Sequence, residues 1–329
     1  MQIYFKLLLI AYCLSPALCA SQEIIRFTVF TDLHQDIIPD ASLRLHKILD
    51  AAHSNRSQFI VQLGDFAIRR KENDSLVSIW KNHYLEKYSV LGNHDLDIGT
   101  KQQYIDYIGS KTPYYFFDKG SYRFIILDTN FFINDKGQEI DYANSNYYGK
   151  KTDRISKAQL LWIEQLLGDK SKHIFVFSHT PVDGLIRDNE SFIELRTILS
   201  KAKQNGSQIA AVMSGHHHID HYIERDGIHY IELNSASYVY VGEAYANRSR
   251  YPDSFYQKRN SLQFVVPYKD ALYANVSLDA QNKKIFIEGF KSSFIPPSPA
   301  ELGLPMKVNK ITGDSIYYRP IISNMELAY

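Results

Sequence analysis

Asp32 and His34 sit two residues apart, Asn93, His94 and Asp95 are consecutive, and His216, His217 and His218 form an unbroken run of imidazoles. These side chains hold cations or move protons. Carboxylate, amide oxygen and imidazole together suit divalent ions of borderline softness, namely Mn, Fe, Zn, Ni or Co, without choosing among them. An imidazole left off the metal can serve as a general acid or base. Two further positions have the same character: Asp65 in "LGDF" and His179 after "HIFVFS". Taken singly, each has an ordinary reading, such as a turn aspartate or a hydrogen-bonded histidine at a strand end. Their common placement argues otherwise.

Every one of these groups follows a short apolar run. "IIRFTVF" (24–30), "QFIVQL" (58–63), "KYSVL" (87–91), "HIFVFS" (173–178) and "QIAAVMS" (208–214) read as strands. Helical patterns alternate with them at 41–52, at 74–85 with Asp74 or Ser75 as cap, at 154–167 with Ser156 and Gln159 as a capping box, and at 191–202. Further strands are expected at 114–117 and 122–128. A hairpin at 221–233 should turn at Asp226-Gly227. Strand–helix alternation predicts a layered α/β fold, in which function gathers in the loops at the carboxyl ends of strands. Gly64, Gly92 and Gly215 precede the loop ligands, where the backbone must turn sharply. On an extended stretch His216 and His218 project to one face and His217 to the other.

D-x-H, G-D, G-N-H-D, a later His and G-H-x-H, in this order over residues 24–235, resemble the calcineurin-like metallophosphoesterase superfamily. The resemblance implies a four-layer α-β-β-α sandwich of two mixed sheets with a binuclear metal site at the strand ends. It implies that Asp32, His34, Asp65 and His218 hold one divalent metal ion and that Asp65, Asn93, His179 and His216 hold the other. His94 would contact phosphate and help protonate the leaving oxygen, with Asp95 orienting it; His217 would not be a ligand. The activity implied is hydrolysis of phosphate esters by a metal-bridging hydroxide. Such a pair of ions lowers the pKa of bound water and neutralises charge on the phosphoryl oxygens. One departure matters. Relatives that bind ferric iron through tyrosinate carry Tyr three residues after the G-D aspartate, whereas this chain has Ile68. A colourless protein is therefore expected.

The 329 residues are 45% hydrophobic, 22% charged and 13% aromatic, which is globular composition, and the formal net charge is +1. A balanced chain offers no overall electrostatic footprint for nucleic acid. A small phosphate ester, as monoester or diester, is thus the expected partner, with a nuclease or a non-catalytic metal-binding module as alternatives. Residues 1–20 read as a signal peptide: Lys6, the apolar "LLLIAYCL" and a small-residue cleavage zone ending at Cys19 or Ala20. Export follows, to the periplasm or the exterior, with no stable membrane span after cleavage. Both cysteines, Cys13 and Cys19, fall in this segment, so thiolate ligands are excluded from the mature chain. A metallophosphoesterase domain is expected over 21–295, followed by a tail over 296–329 that packs on it or extends from it. Two aromatic, polar stretches, 131–151 and 234–251, are candidates for pocket walls, as are Gln35 and Asp36. The oligomeric state is not encoded in any pattern here.

Overall fold

The computed structural model describes residues 23–150, 153–311 and 313–329. The segment read as a signal peptide, with both cysteines, lies outside them. No helix among the described residues is long and apolar enough to cross a membrane.

Twelve strands build two sheets. They are β1 (Ile24–Phe30), β2 (Phe59–Gln62), β3 (Glu86–Ser89), β4 (Tyr115–Lys119), β5 (Tyr122–Ile126), β6 (His173–Phe177), β7 (Gln208–Ser214), β8 (His221–Arg225), β9 (Ile228–Glu232), β10 (Ala274–Asp279), β11 (Lys284–Gly289) and β12 (Met325–Ala328). One six-stranded sheet runs β12-β11-β10-β1-β2-β3 and the other runs β8-β9-β7-β6-β5-β4. Pairs β1/β2, β2/β3, β5/β6, β6/β7 and β7/β9 are parallel; the remaining pairs are antiparallel. Both sheets are mixed, as expected.

Side-chain alternation along the strands assigns the layers. On β1, Ile25, Phe27 and Val29 face one cluster while Phe30 faces another; on β6, Phe175 and Phe177 face the first and Ile174 and Val176 a third. The shared cluster lies between the sheets. Its centre is aromatic: Phe27 stacks on Phe59 at 5.0 Å and meets Phe124, Phe175 and Phe177 edge-on at 5.8–5.9 Å. Edge-to-face contact satisfies the ring quadrupoles and fills the space between two pleated surfaces. Helices α1 (Ala41–Ser54), α2 (Asp74–Asn82) and α3 (Lys101–Ile108) cover the first sheet through Leu45, Ile48, Trp80 and Ile105. Helices α4 (Lys157–Leu166) and α5 (Glu190–Gln204) cover the second through Leu160, Ile163, Leu195 and Leu199. The four-layer α-β-β-α expectation holds.

Local details differ from the sequence reading in three places, besides a short helix at Asp253–Lys258 that was not expected. The residue capping α2 is Asn73 rather than Asp74 or Ser75, and it makes no side-chain cap. Instead its amide bonds Asp36 at 2.6 Å and the Ile68 carbonyl at 2.7 Å. The capping box of α4 is half formed. Ser156 accepts from the Gln159 N–H, but the Gln159 amide clasps the Asp128 backbone at 2.8 and 2.9 Å. Finally, α3 was not expected, although Thr100 and Gln103 form a complete box there. The β8–β9 hairpin turns where predicted, with Asp226 and Gly227 both left-handed (φ 54° and 70°), as a two-residue turn of primed type requires.

The end of the chain is built into the fold. β12 pairs with β11 in the first sheet, while the Tyr329 hydroxyl lies 2.9 Å from Tyr122 Oη and 2.7 Å from His173 Nδ1 in the second. His229 Nε2 bonds the Ala328 carbonyl at 2.9 Å. The last strand thereby ties both sheets together at one side.

Candidate metal centre

The carboxyl ends of β1, β2 and β3 meet those of β6 and β7 at one edge of the sandwich. Backbone bonds fuse the loops that leave them: Asp32 N–H to the Gly64 carbonyl (3.0 Å), His34 N–H to the Asp65 carbonyl (3.0 Å) and Gly215 N–H to the His179 carbonyl (2.9 Å). The close approach needs glycine. A Cβ on Gly92 would stand 2.2 Å from both Asp65 N and Asp65 Oδ1, and one on Gly215 would stand 2.0 Å from Thr31 Oγ1. Five of the predicted ligands, Asp32, His34, Asp65, His216 and His218, have φ between 49° and 75°. Left-handed geometry costs an L-residue roughly 1–2 kcal/mol. Strain at five converging ligands marks a place where position outranks stability.

All seven predicted metal ligands come together. Asp32, His34 and His218 form one group and Asp65, His179 and His216 a second, the ligand atoms of each lying within 4.8 Å of one another. Asp65 joins the two: its Oδ2 is 3.6 Å from His34 Nε2 and 3.3 Å from His179 Nε2. Asn93 turns its Oδ1 to His179 Nε2 at 3.2 Å. The histidines are aimed from behind. His179 Nδ1 bonds the Leu63 carbonyl at 2.7 Å and His218 Nδ1 bonds the Tyr238 carbonyl at 3.0 Å, which leaves each Nε2 free to ligate. Asp32 Oδ2 accepts from Thr31 Oγ1 (2.5 Å) and His216 N–H (3.0 Å), so Oδ1 faces inward to His218 Nε2 at 3.2 Å.

This donor set fits a pair of cations. His34 Nε2 is buried without a hydrogen-bond partner among the described residues. His179 Nε2 faces Asn93 Oδ1, Asp65 Oδ2 and His216 Nδ1 at 3.2–3.3 Å, yet one proton can serve only one of them. Electrostatics agree. Burial by itself would raise the Asp32 and Asp65 carboxyls, but His218 beside the first and His179 beside the second hold both well below the usual carboxylate range. Burial would lower His179, but Asp65 and Asp32 push it up to about 10. Burial pushes His216 down to about 4.

His94 borders the centre with its ring open to the cavity, on a single 3₁₀ turn. Asp95 does not orient it, contrary to expectation. The partner of His94 Nδ1 is Asp97 Oδ2 at 2.9 Å. Asp95 is wholly buried and accepts from the N–H groups of Gly92 (2.9 Å), Phe66 (2.9 Å) and Asp65 (3.1 Å) and from the Tyr104 hydroxyl (2.7 Å). Consecutive residues of a tight turn point about a third of a revolution apart, so 94 and 95 diverge while 94 and 97 align. Burial would lower His94, but Asp65 and the Asp97 bond push it up to about 9. Burial and the Asp65 charge push Asp95 up to about 7.

The walls contain residues that the sequence reading named only as stretches. From 131–151, Tyr147 donates to Asp97 Oδ1 at 2.6 Å and accepts from Asn93 Nδ2 at 3.3 Å. From 234–251, Tyr238 packs on His34 and His218 at 5.0 and 4.7 Å between ring centroids. Asp36 lines the edge, but its carboxylate bonds Ile68 N–H and Asn73, so it braces loops. Arg187 and Lys307 line the cavity too and were not singled out. Asp97 had a signal, its spacing of three from His94; Lys307 had none. His217 turns away from the ligands, its Nδ1 lying 3.0 Å from buried Glu232.

Comparison with known proteins gives three findings. A family model described as calcineurin-like phosphoesterase matches residues 25–220. No curated protein matches the chain in sequence. Among solved structures, a dimetal phosphatase from Danio rerio superposes with a TM-score of 0.58 at 15% identity, covering 83% of this chain and 99% of its own. GAP50, the anchor in the inner membrane complex of Plasmodium, superposes with a TM-score of 0.51 at 15% identity, covering 91% and 89%.

Proposed function

We propose, for a chain that belongs to the calcineurin-like phosphoesterase family and is a metal-dependent phosphoric ester hydrolase, that it is an exported enzyme acting on small phosphate esters through two divalent ions. The observation that carries this is Asp65, whose single Oδ2 stands between two clusters of buried imidazole and carboxylate donors. Asp32, His34, Asp65 and His218 would hold one ion, and Asp65, Asn93, His179 and His216 the other. When bound, such a pair activates water and polarises phosphoryl oxygens.

The chain's own residues do the remainder. Leu63 and Tyr238 carbonyls fix the imidazole tautomers of His179 and His218. Asp97 and Tyr147 hold His94 beside the cavity, and the raised pKa of His94 supports a protonated ring at neutral pH. From that position His94 would give its proton to the departing oxygen, the step in which an alkoxide most needs one. A net charge of only +1 favours small esters over polynucleotides.

Purified protein supplied in turn with Mn, Zn and Fe should hydrolyse at least one of p-nitrophenyl phosphate, its bis ester, cyclic AMP and ADP-ribose. His94→Asn should lower turnover by about 10²-fold or more while two metals per chain are retained. Near-normal turnover of an ester with a poor leaving group by that variant would remove the proton-donor role. Export is checked by N-terminal sequencing of the protein recovered outside the cytoplasm, which should begin after Cys19 or Ala20. Recovery only inside, uncleaved, would reject it.

A further inference from the structure

Two cavities meet at the metal centre. One, of about 710 Å³, opens past His216 and His218; the other, of about 360 Å³, opens past Ile68 and Asp97. His34, Asp65, His94, Tyr148 and Ser261 line both, so the reacting phosphorus would sit at the junction. A phosphate with one organic substituent needs one recess; its three other oxygens all belong at the cations and donors of the centre. A phosphate with two substituents leaves only two free oxygens and needs a recess on each side. In-line displacement also requires the departing group to have its own space opposite the entering water.

The two recesses are charged alike. Lys150, Arg187 and Lys307 line the larger, and Arg70, Lys258 and Arg259 line the smaller. Most acids on the walls are already engaged: Asp36 by Ile68 N–H and Asn73, Asp97 by His94, Ser145 and Tyr147, and Asp153 by Tyr142 and by Arg187 itself at 3.3 Å; Glu243 also stands on the wall of the larger recess. Lys307 Nζ uses one donor on the His217 carbonyl at 2.8 Å, out of the three an ammonium carries. Arg259 Nε is buried without a hydrogen-bond partner among the described residues. Lys258, Arg259, Ser261 and Lys307 lie beyond the residues that the family model matches, while Arg70, Lys150 and Arg187 lie within them.

We propose that the substrate is a small phosphodiester with polar or anionic arms, seated with one arm in each cavity. This rests on the reading of the site as a phosphoester hydrolase. In the reaction a water oxygen bonds to phosphorus and one P–O ester bond breaks, its electron pair leaving on the ester oxygen. That oxygen takes up a proton, and the products are a monoester and an alcohol. The smaller cavity sets the preference for diesters, and Asn260 stands on its wall.

The test compares kcat/KM for bis(p-nitrophenyl) phosphate and p-nitrophenyl phosphate in the full chain loaded with Mn. The wild type should favour the diester. Asn260→Trp, which fills the smaller cavity, should lower the diester-to-monoester ratio by about tenfold or more, and Asn260→Ser should leave it near the wild-type value. Arg259→Met is the second probe, should the tryptophan variant not fold, and should lower the same ratio. Preference of the wild type for the monoester, or an equal effect of these variants on both esters, overturns the proposal while leaving the hydrolase reading intact. No hydrolysis of either ester by protein holding two metals overturns both.

Discussion

Asp97 rather than Asp95 supports His94, and the two carboxylates separate by environment. Asp97 contacts the imidazole and the Tyr147 hydroxyl at the cavity edge; Asp95 staples the loops after β2 and β3 from within. Asp97→Asn should therefore lower turnover about tenfold and shift the basic limb of the pH profile downward, because a carboxylate that raises the His94 pKa is lost. An unchanged pH profile would leave Asp97 a merely structural residue. His179 gives a second prediction. With a pKa near 10 in the metal-free fold it carries a proton at pH 7, and its Nε2 must lose that proton to ligate. Metal affinity should rise with pH, by up to about tenfold per unit between pH 6 and 9 for one proton released. His216, pushed down to about 4, is already neutral there and adds nothing. A competition titration against a chelator at pH 6, 7 and 8 measures this; a flat profile would argue against His179 as a ligand.

At the scale of elements, the centre depends on how near two loops can come. Gly92 ends the approach to β2, and the space where its Cβ would stand is filled by Asp65. Gly92→Ala must displace that carboxylate or its loop, which should cost about 2–3 kcal/mol as overpacking. Because Asp65 is placed between both clusters, metal content should fall with stability. Melting temperature and metal stoichiometry, read on the same sample, check it; full stoichiometry at wild-type stability would mean the loops separate freely. The helices matter less directly. Two helical residues are exceptions: Arg44 reaches from α1 to the Ala236 and Tyr268 carbonyls at 3.3 and 2.5 Å and so fixes the loop that carries Tyr238, and Tyr104 on α3 bonds Asp95 at 2.7 Å.

The whole molecule is closed by its last strand. β12 pairs with β11, and Ala328 and Tyr329 reach His229, Tyr122 and His173 in the opposite sheet. Truncation after Asn324 removes a sheet edge and these cross-links. A loss of about 3 kcal/mol lowers the melting temperature of a chain this size by roughly 4–6 °C. Lys307 and the seven ligand positions lie upstream, so metal content should be retained. A melting temperature equal to that of the full chain would show that β12 contributes only packing without stability.

The sequence by itself determined the strands that lead into the site, because five short runs are rich in β-branched and aromatic residues, with only a few polar positions such as the exposed Arg26 among them. It also determined the ligands, because side chains able to hold cations followed each of those strands directly. Periodicity reports which residues share a face, and ligand chemistry is a property of residue type, so both are local. Which carboxylate would hold His94 was decided by the rotation of one 3₁₀ turn. The half-formed cap at Gln159 was decided by a competing contact with Asp128, 31 residues away. Lys307 enters the cavity only because the end of the chain returns across the sandwich, bringing it to a carbonyl 90 residues distant. Contacts of that range depend on how layers stack, and no window of the sequence contains them.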